Sequence, residues 1–251
     1  MKKLNDGQVS SAAESDEGVY KALKGLCDIG LELGNEYWNW PLVGYLTFPS
    51  LQRILNLAWI YEMQKKSSGS ILEFGVHYGS SFVQLINLRS IHEPYNYARH
   101  IYGFDTFDGF KDVTNQDGAA SQGDFKVSND YEIHLENLCS LHEKLAPKSH
   151  LKKFSLLKGN ASEKLQELIS KRPDMVVSLV IFDMDIYKPT KEVLQMLKPH
   201  LHKGSILVFD EFNCPHFPGE TVAAMEELDF GNVEFIQSPY LPFNSVCKFE
   251  S

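Results

Sequence analysis

Ile71-Leu72-Glu73-Phe74-Gly75-Val76-His77-Tyr78-Gly79-Ser80-Ser81 reads as an apolar strand running into a glycine-containing turn and then into the start of a helix. In open α/β sheets, ligands bind beyond the carboxyl ends of the strands, which is where this turn lies. Gly75 and Gly79 allow close approach to the backbone, and a helix N-terminus offers unpaired N–H groups to a carboxylate or phosphate. The spacing Glu73-x-Gly75-x-x-x-Gly79 departs from the G-x-G-x-x-G dinucleotide fingerprint. Alone, the turn serves a structural bend as well as a cofactor loop.

Downstream, short apolar runs alternate with helical stretches. Strands are expected over 71–76, 101–104, 154–157, 176–182 and 206–209, with helices around 80–90, 129–145, 161–171, 188–199 and 219–228. Continuous apolar strands separated by helices indicate a parallel sheet covered on both faces. The runs 233–236 and 245–249 are too closely linked for a crossover helix and read as an antiparallel hairpin. The expected fold is therefore α/β: a Rossmann-like, seven-stranded, mostly parallel sheet with a C-terminal hairpin.

Upstream, Leu51, Ile54, Leu55 and Ala58 form a helix stripe with Ser50 as its cap, and Tyr37, Trp38 and Trp40 lie just before it. Those aromatics suit either a lid over a ligand or simple packing. The chain thus divides into a polar flexible tail (1–17), a helical N-terminal extension or lid (18–66) and the α/β domain (67–251). The extension is equally suited to form a homo-oligomer surface.

Composition bounds the function. The chain has 251 residues, 43% hydrophobic and 23% charged, and a net charge of −9. That field repels phosphate backbones and disfavours nucleic acid as a partner. Cys27, Cys139, Cys214 and Cys247 form no C-x-x-C pair and read as free thiols of a reducing compartment. No apolar run follows Lys2 and Lys3, and no stretch is long enough to span a bilayer, so a cytoplasmic protein without a membrane partner is expected.

Two further clusters carry chemistry. In Gly103-Phe104-Asp105-Thr106-Phe107, Asp105 ends a strand, where a carboxylate accepts hydrogen bonds from ribose hydroxyls or caps a turn. Asp183-Met184-Asp185-Ile186-Tyr187 and Asp210-Glu211 follow the two most apolar strands, so four carboxylates emerge at one sheet edge. Like charges brought together there need a cation or a shared proton. Asp183, Asp210 and Glu211 form an oxygen donor set suited to Mg²⁺, with Asp185 placed as a nearby base. His200 and His202 lack a third ligand and read as surface residues.

With Gly103–Gly109, Lys158-Gly159-Asn160 and Gly204 leading to Asp210-Glu211, these motifs extend over about two-thirds of the chain. The sequence resembles the class I S-adenosylmethionine-dependent methyltransferases, and within them the macrocin O-methyltransferase (TylF-like) family. The resemblance implies Mg²⁺-dependent methyl transfer from S-adenosylmethionine to a sugar hydroxyl of a glycan or small-molecule acceptor. It also implies a cofactor-binding set of Glu73, Gly75, Gly79, Ser80, Ser81, Asp105, Thr106, Asn160 and Asp183. Asp183, Asp210 and Glu211 become the Mg²⁺ ligands and Asp185 the general base. Ser80 stands where glycine is common, and Glu211 where aspartate is common. A catechol-type methyltransferase and a non-catalytic binding protein on the same fold are the alternatives.

Overall fold

The computed structural model describes residues 2–3, 9–10 and 14–249, with side chains from 18 to 249. Most of the expected tail, 1–17, lies outside those residues; its described parts are a ladder between β1 (Lys2–Lys3) and β2 (Val9–Ser10) and the start of a helix at Glu14. Helices α1 (Glu14–Gly34), α2 (Asn39–Leu42) and α3 (Phe48–Gln64) precede the α/β body. α3 starts two residues before the expected cap: Thr47, not Ser50, is its N-cap, with Pro49 in the first turn. Proline belongs there because its missing N–H has no intrahelical partner to lose.

The body runs β3 (Ser70–Phe74), α4 (Ser80–His92), β4 (Ile101–Asp105), α5 (Tyr131–Leu145), β5 (Phe154–Lys158), α6 (Ala161–Lys171), β6 (Val177–Phe182), α7 (Tyr187–Leu197), β7 (Ile206–Phe209), α8 (Gly219–Glu227), β8 (Val233–Gln237) and β9 (Ser245–Phe249). The sheet order is β5-β4-β3-β6-β7-β9-β8. β9 slots between β7 and β8 and is antiparallel to both, while the five strands from β5 to β7 are mutually parallel. The seven-stranded, mostly parallel sheet is the one the apolar runs indicate.

Period-two alternation sends the two halves of each strand's side chains into different layers. Ile71, Ile101, Leu179 and Val208 pack with Phe82, Leu85 and Leu135 on one face. Leu72, Val180 and Leu207 pack with Leu165, Leu194 and Ala223 on the other. Four phenylalanines, Phe104, Phe74, Phe182 and Phe209, sit in register across β4, β3, β6 and β7. Their rings stack with centroids 4.4, 5.8 and 5.0 Å apart. Each is followed directly by a residue of the site: Asp105, Gly75, Asp183 and Asp210. The row is a rigid floor that presents those four positions along one edge.

Candidate active site

The sheet order reverses between β3 and β6, and a cavity of about 730 Å³ opens beyond the carboxyl ends of those strands. That is the crevice in which open α/β sheets bind ligands, and its size suits a cofactor plus part of an acceptor. Of the sequence-derived residues, Gly75, Ser80, Asp105, Thr106, Asn160, Asp183, Asp185, Asp210 and Glu211 line it. Glu73, Gly79 and Ser81 stand behind its wall.

Their placement has a physical cause. Glu73 points into the protein, fully buried, and accepts a hydrogen bond from the Ser81 hydroxyl, leaving its Oε2 without a partner. Burial pushes the Glu73 carboxyl up to about 8. The glycines answer to the protein rather than to open space. A Cβ on Gly75 would lie 1.8 Å from the Asp183 carbonyl oxygen, and one on Gly79 2.3 Å from the Leu135 side chain. Both have positive φ, and Gly79 is the left-handed N-cap of α4.

Asp105 accepts from the backbone N–H groups of His77 (2.7 Å) and Phe107 (2.6 Å). It thereby fixes the turn after β3 to its own strand end. Burial raises its pKa while those two donors pull it back. Asn160 caps α6 through Ser162 N (3.0 Å) and Glu163 N (3.2 Å), with its amide donating to Asp112. Thr106 bonds to Gly109 O at 2.9 Å. The segment 106–128 adds Phe110, Lys111, Asp112 and Phe125 to the cavity wall.

The acidic side is built by two groups that motif reading does not reach. Glu220, fully buried in the first turn of α8, accepts from Met184 N (3.0 Å), Asp185 N (3.2 Å) and Glu211 N (3.4 Å). Asp117, also fully buried, accepts from Tyr187 N at 2.6 Å. Asp185 sits in the left-handed region (φ 60°), its own N–H held by Glu220 and that of Tyr187, two residues on, by Asp117. An acidic residue at a helix start is ordinarily read as a dipole partner, so Glu220 carries no signal of its bridging role.

Burial, then repulsion from Asp210, Asp185 and Glu220, raises Asp183 well above the usual carboxylate range. Burial, then Glu211 and Asp210, does the same for Asp185. Burial raises Glu211, whose Oε2 is buried without a partner. Arg53, reaching over from α3, opposes all three shifts. It lines the cavity with Phe48, Pro49 and Gln52, so α3 of the N-terminal extension forms part of the cavity wall. Tyr37, Trp38 and Trp40 do not line the cavity and are exposed, with Tyr37 and Trp40 meeting edge to face at 6.4 Å.

Among the described residues, no three His, Cys, Asp or Glu side chains converge as one metal site. The expected Mg²⁺ triad is therefore not drawn together here. Protein donors compete for its lone pairs: Asn244 Nδ2 donates to Asp210 Oδ1 at 2.9 Å, and the Cys214 thiol bonds to Glu211. In kind and charge the donor set still suits a hard cation, since the orphaned Glu211 oxygen and the mutual repulsion would both be relieved by one. His200 and His202 bond to the carbonyls of Met175 and of Ser68 and Lys203, away from the cavity.

A methyltransferase-domain family model matches residues 72–212, more than half of the chain. The crystal structure of CalS11, a calicheamicin methyltransferase, is similar over 100% of both chains, with a TM-score of 0.91 and 29% identity. The apo structure of CalS11, described as a TDP-rhamnose 3'-O-methyltransferase, has a TM-score of 0.84 and 26% identity, covering 96% of this chain and 97% of that one. Among curated proteins, 8-demethyl-8-(2,3-dimethoxy-alpha-L-rhamnosyl)-tetracenomycin-C 4'-O-methyltransferase of Streptomyces olivaceus is 23% identical over 179 residues, which is 69% of this chain. The match spans 65% of the length of that relative.

Proposed function

Because the chain belongs to the methyltransferase-domain family, we propose that it is an S-adenosylmethionine-dependent O-methyltransferase acting on a sugar hydroxyl, with a deoxysugar of a glycosylated natural product or its nucleotide-linked precursor as acceptor. The full-length likeness to the calicheamicin methyltransferase, at 29% identity, carries this reading. The acceptor chemistry follows the relatives, whose names specify rhamnose derivatives.

The cofactor belongs on the β3–β5 side of the crevice. Asp105 would hold the ribose through its remaining lone pairs, and the turn from Gly75 to Ser80 would take the methionine end at the start of α4. Glu73 and Ser81 would support that turn from behind. The acceptor belongs on the β6–β7 side, between Asp185 and the α3 residues Arg53 and Phe48.

A sulfonium methyl is already electrophilic, so the main task is to align the acceptor oxygen with it and to exclude water. Asp185 takes the hydroxyl proton. Burial and the neighbouring Glu211 and Asp210 raise its pKa, which strengthens it as a base once ionised, while Glu220 holds its N–H and Asp117 that of Tyr187. Asp183, Asp210 and Glu211 would hold Mg²⁺, which when bound supplies positive charge that acidifies a coordinated hydroxyl.

The test is methyl transfer from labelled S-adenosylmethionine to a panel of TDP-rhamnose, a rhamnosylated polyketide and a catechol, with Mg²⁺ and with chelator. Transfer to a rhamnosyl acceptor is expected, and Asp185→Asn should keep cofactor binding while losing roughly 10²–10⁴-fold in turnover. Preference for the catechol would reject the sugar assignment. Full activity in Asp185→Asn would remove that residue from its role, and full activity in chelator would remove the metal.

A further inference from the structure

Between Glu36 and Arg53 no residue carries a charge, in a chain that is 23% charged. The stretch is not buried: Trp40 is 77% and Phe48 75% exposed, and Tyr37, Trp38 and Val43 also face outward. It continues a second apolar surface on α1. Val19, Ala22, Leu26, Ile29 and Leu33 follow one another at spacings of three and four, and all are exposed, Leu33 at 81%. The flank of α1 beside this stripe is already used, since Tyr45 packs over Gly30 and Pro41 over Gly34. The exposed stripe is therefore surplus to the fold of one chain.

We propose that this arm, from Val19 to Phe48, is the surface on which a second copy of the chain docks. A stripe alternating three and four is the seam that one helix offers to another bearing the same repeat, so an identical arm is a matched partner. The area is sufficient. Aromatics bring 150–250 Å² each when fully buried, so the exposed side chains together present on the order of 1,000 Å². A standard interface takes about 800 Å² from each partner.

Charge favours the same occupant. The chain as a whole carries −9 and repels its own copies, but two arms meet where charge is scarcest. A membrane surface fits less well. Between Val19 and Phe48 the basic residues are Lys21 and Lys24 against Asp28, Glu32 and Glu36, and Lys24 is paired with Asp28 at 2.9 Å. Anionic lipid attracts clusters of Lys and Arg, which the arm lacks. Because Phe48 and Pro49 end the stretch and line the cavity, the docked copy would lie beside the mouth of the site.

Sedimentation equilibrium on the full chain at micromolar concentration is the test. The expected mass is twice 28.5 kDa, falling to 28.5 kDa in Leu26→Glu/Ile29→Glu. Trp40→Gln, off the long helix, should shift the same equilibrium and guards against a folding defect in the first variant. Circular dichroism should be unchanged in both. A monomeric wild-type chain overturns the proposal, as does a dimer indifferent to all these substitutions. So does a monomer that pellets with phosphatidylcholine vesicles. None of these readouts depends on methyl transfer, so the proposal stands or falls apart from the enzymatic reading.

Discussion

Glu73 shows how a residue can belong to a motif and still keep away from the ligand. It is fully buried beneath the turn it supports, and its carboxyl stays protonated up to about pH 8 rather than the ordinary 4.5. Between those values the folded state binds more protons than the unfolded chain, so this group's contribution to stability falls as pH rises from about 4.5 to about 8. Glu73→Gln should flatten that part of the stability profile and gain most, relative to wild type, near pH 8. Urea midpoints at pH 5, 6, 7 and 8 check it; parallel profiles for the two proteins would show that Glu73 does not titrate in this window.

That Asp105, Asp183, Asp185, Asp210 and Glu211 gather at one crevice was legible in the sequence, because they end or closely follow apolar strands. What holds them was not. Glu220 and Asp117 are far in sequence from the backbones they bind, and an isolated acidic residue in a helix start or polar loop has many commoner roles. Arg53 was hidden for the same reason: it is one polar residue in an amphipathic stripe, and only the placement of α3 turns it toward the carboxylates.

At the level of elements, the strands were readable because burial on both faces leaves near-continuous apolar runs, as in the six buried residues of β6. The in-register phenylalanine row adds a function to that pattern, since it sets the height of every strand end in the site. Phe182 stacks on both Phe74 and Phe209 and is fully buried. Phe182→Ala should cost about 3–5 kcal/mol, the range for truncating a buried aromatic. The urea midpoint should drop with the slope unchanged. A loss below about 1 kcal/mol would mean that neighbours collapse into the space and the floor is not rigid. The start of α3 was misread by three residues because Ser50 is a good cap by type, whereas Thr47 followed by Phe48-Pro49 is the cap by geometry.

In the whole molecule, the sheet and its switch point open one crevice at the ends of β3 and β6, where the proposed reading would set the cofactor against the acceptor. The N-terminal extension contributes two different things. α3 lines the crevice, while α1 carries an exposed apolar stripe that leads into the uncharged run 37–52. Sequence patterning identified the extension as helical but left lid and oligomer surface equally open, because an amphipathic stripe records that a face is to be covered and not by what. Acceptor chemistry was illegible for a related reason: the cavity wall on that side comes from α3, the 106–128 segment and the 238–244 loop, which share no local pattern.

The central claim is that the crevice between β3 and β6 is an S-adenosylmethionine site. Calorimetric titration of the purified chain with S-adenosylhomocysteine tests it most directly, run beside Asp105→Ala. Saturable binding at one site per chain, weakened at least tenfold by Asp105→Ala without loss of fold, is the expected result. No binding heat from a folded wild-type sample, across several temperatures, would contradict the claim.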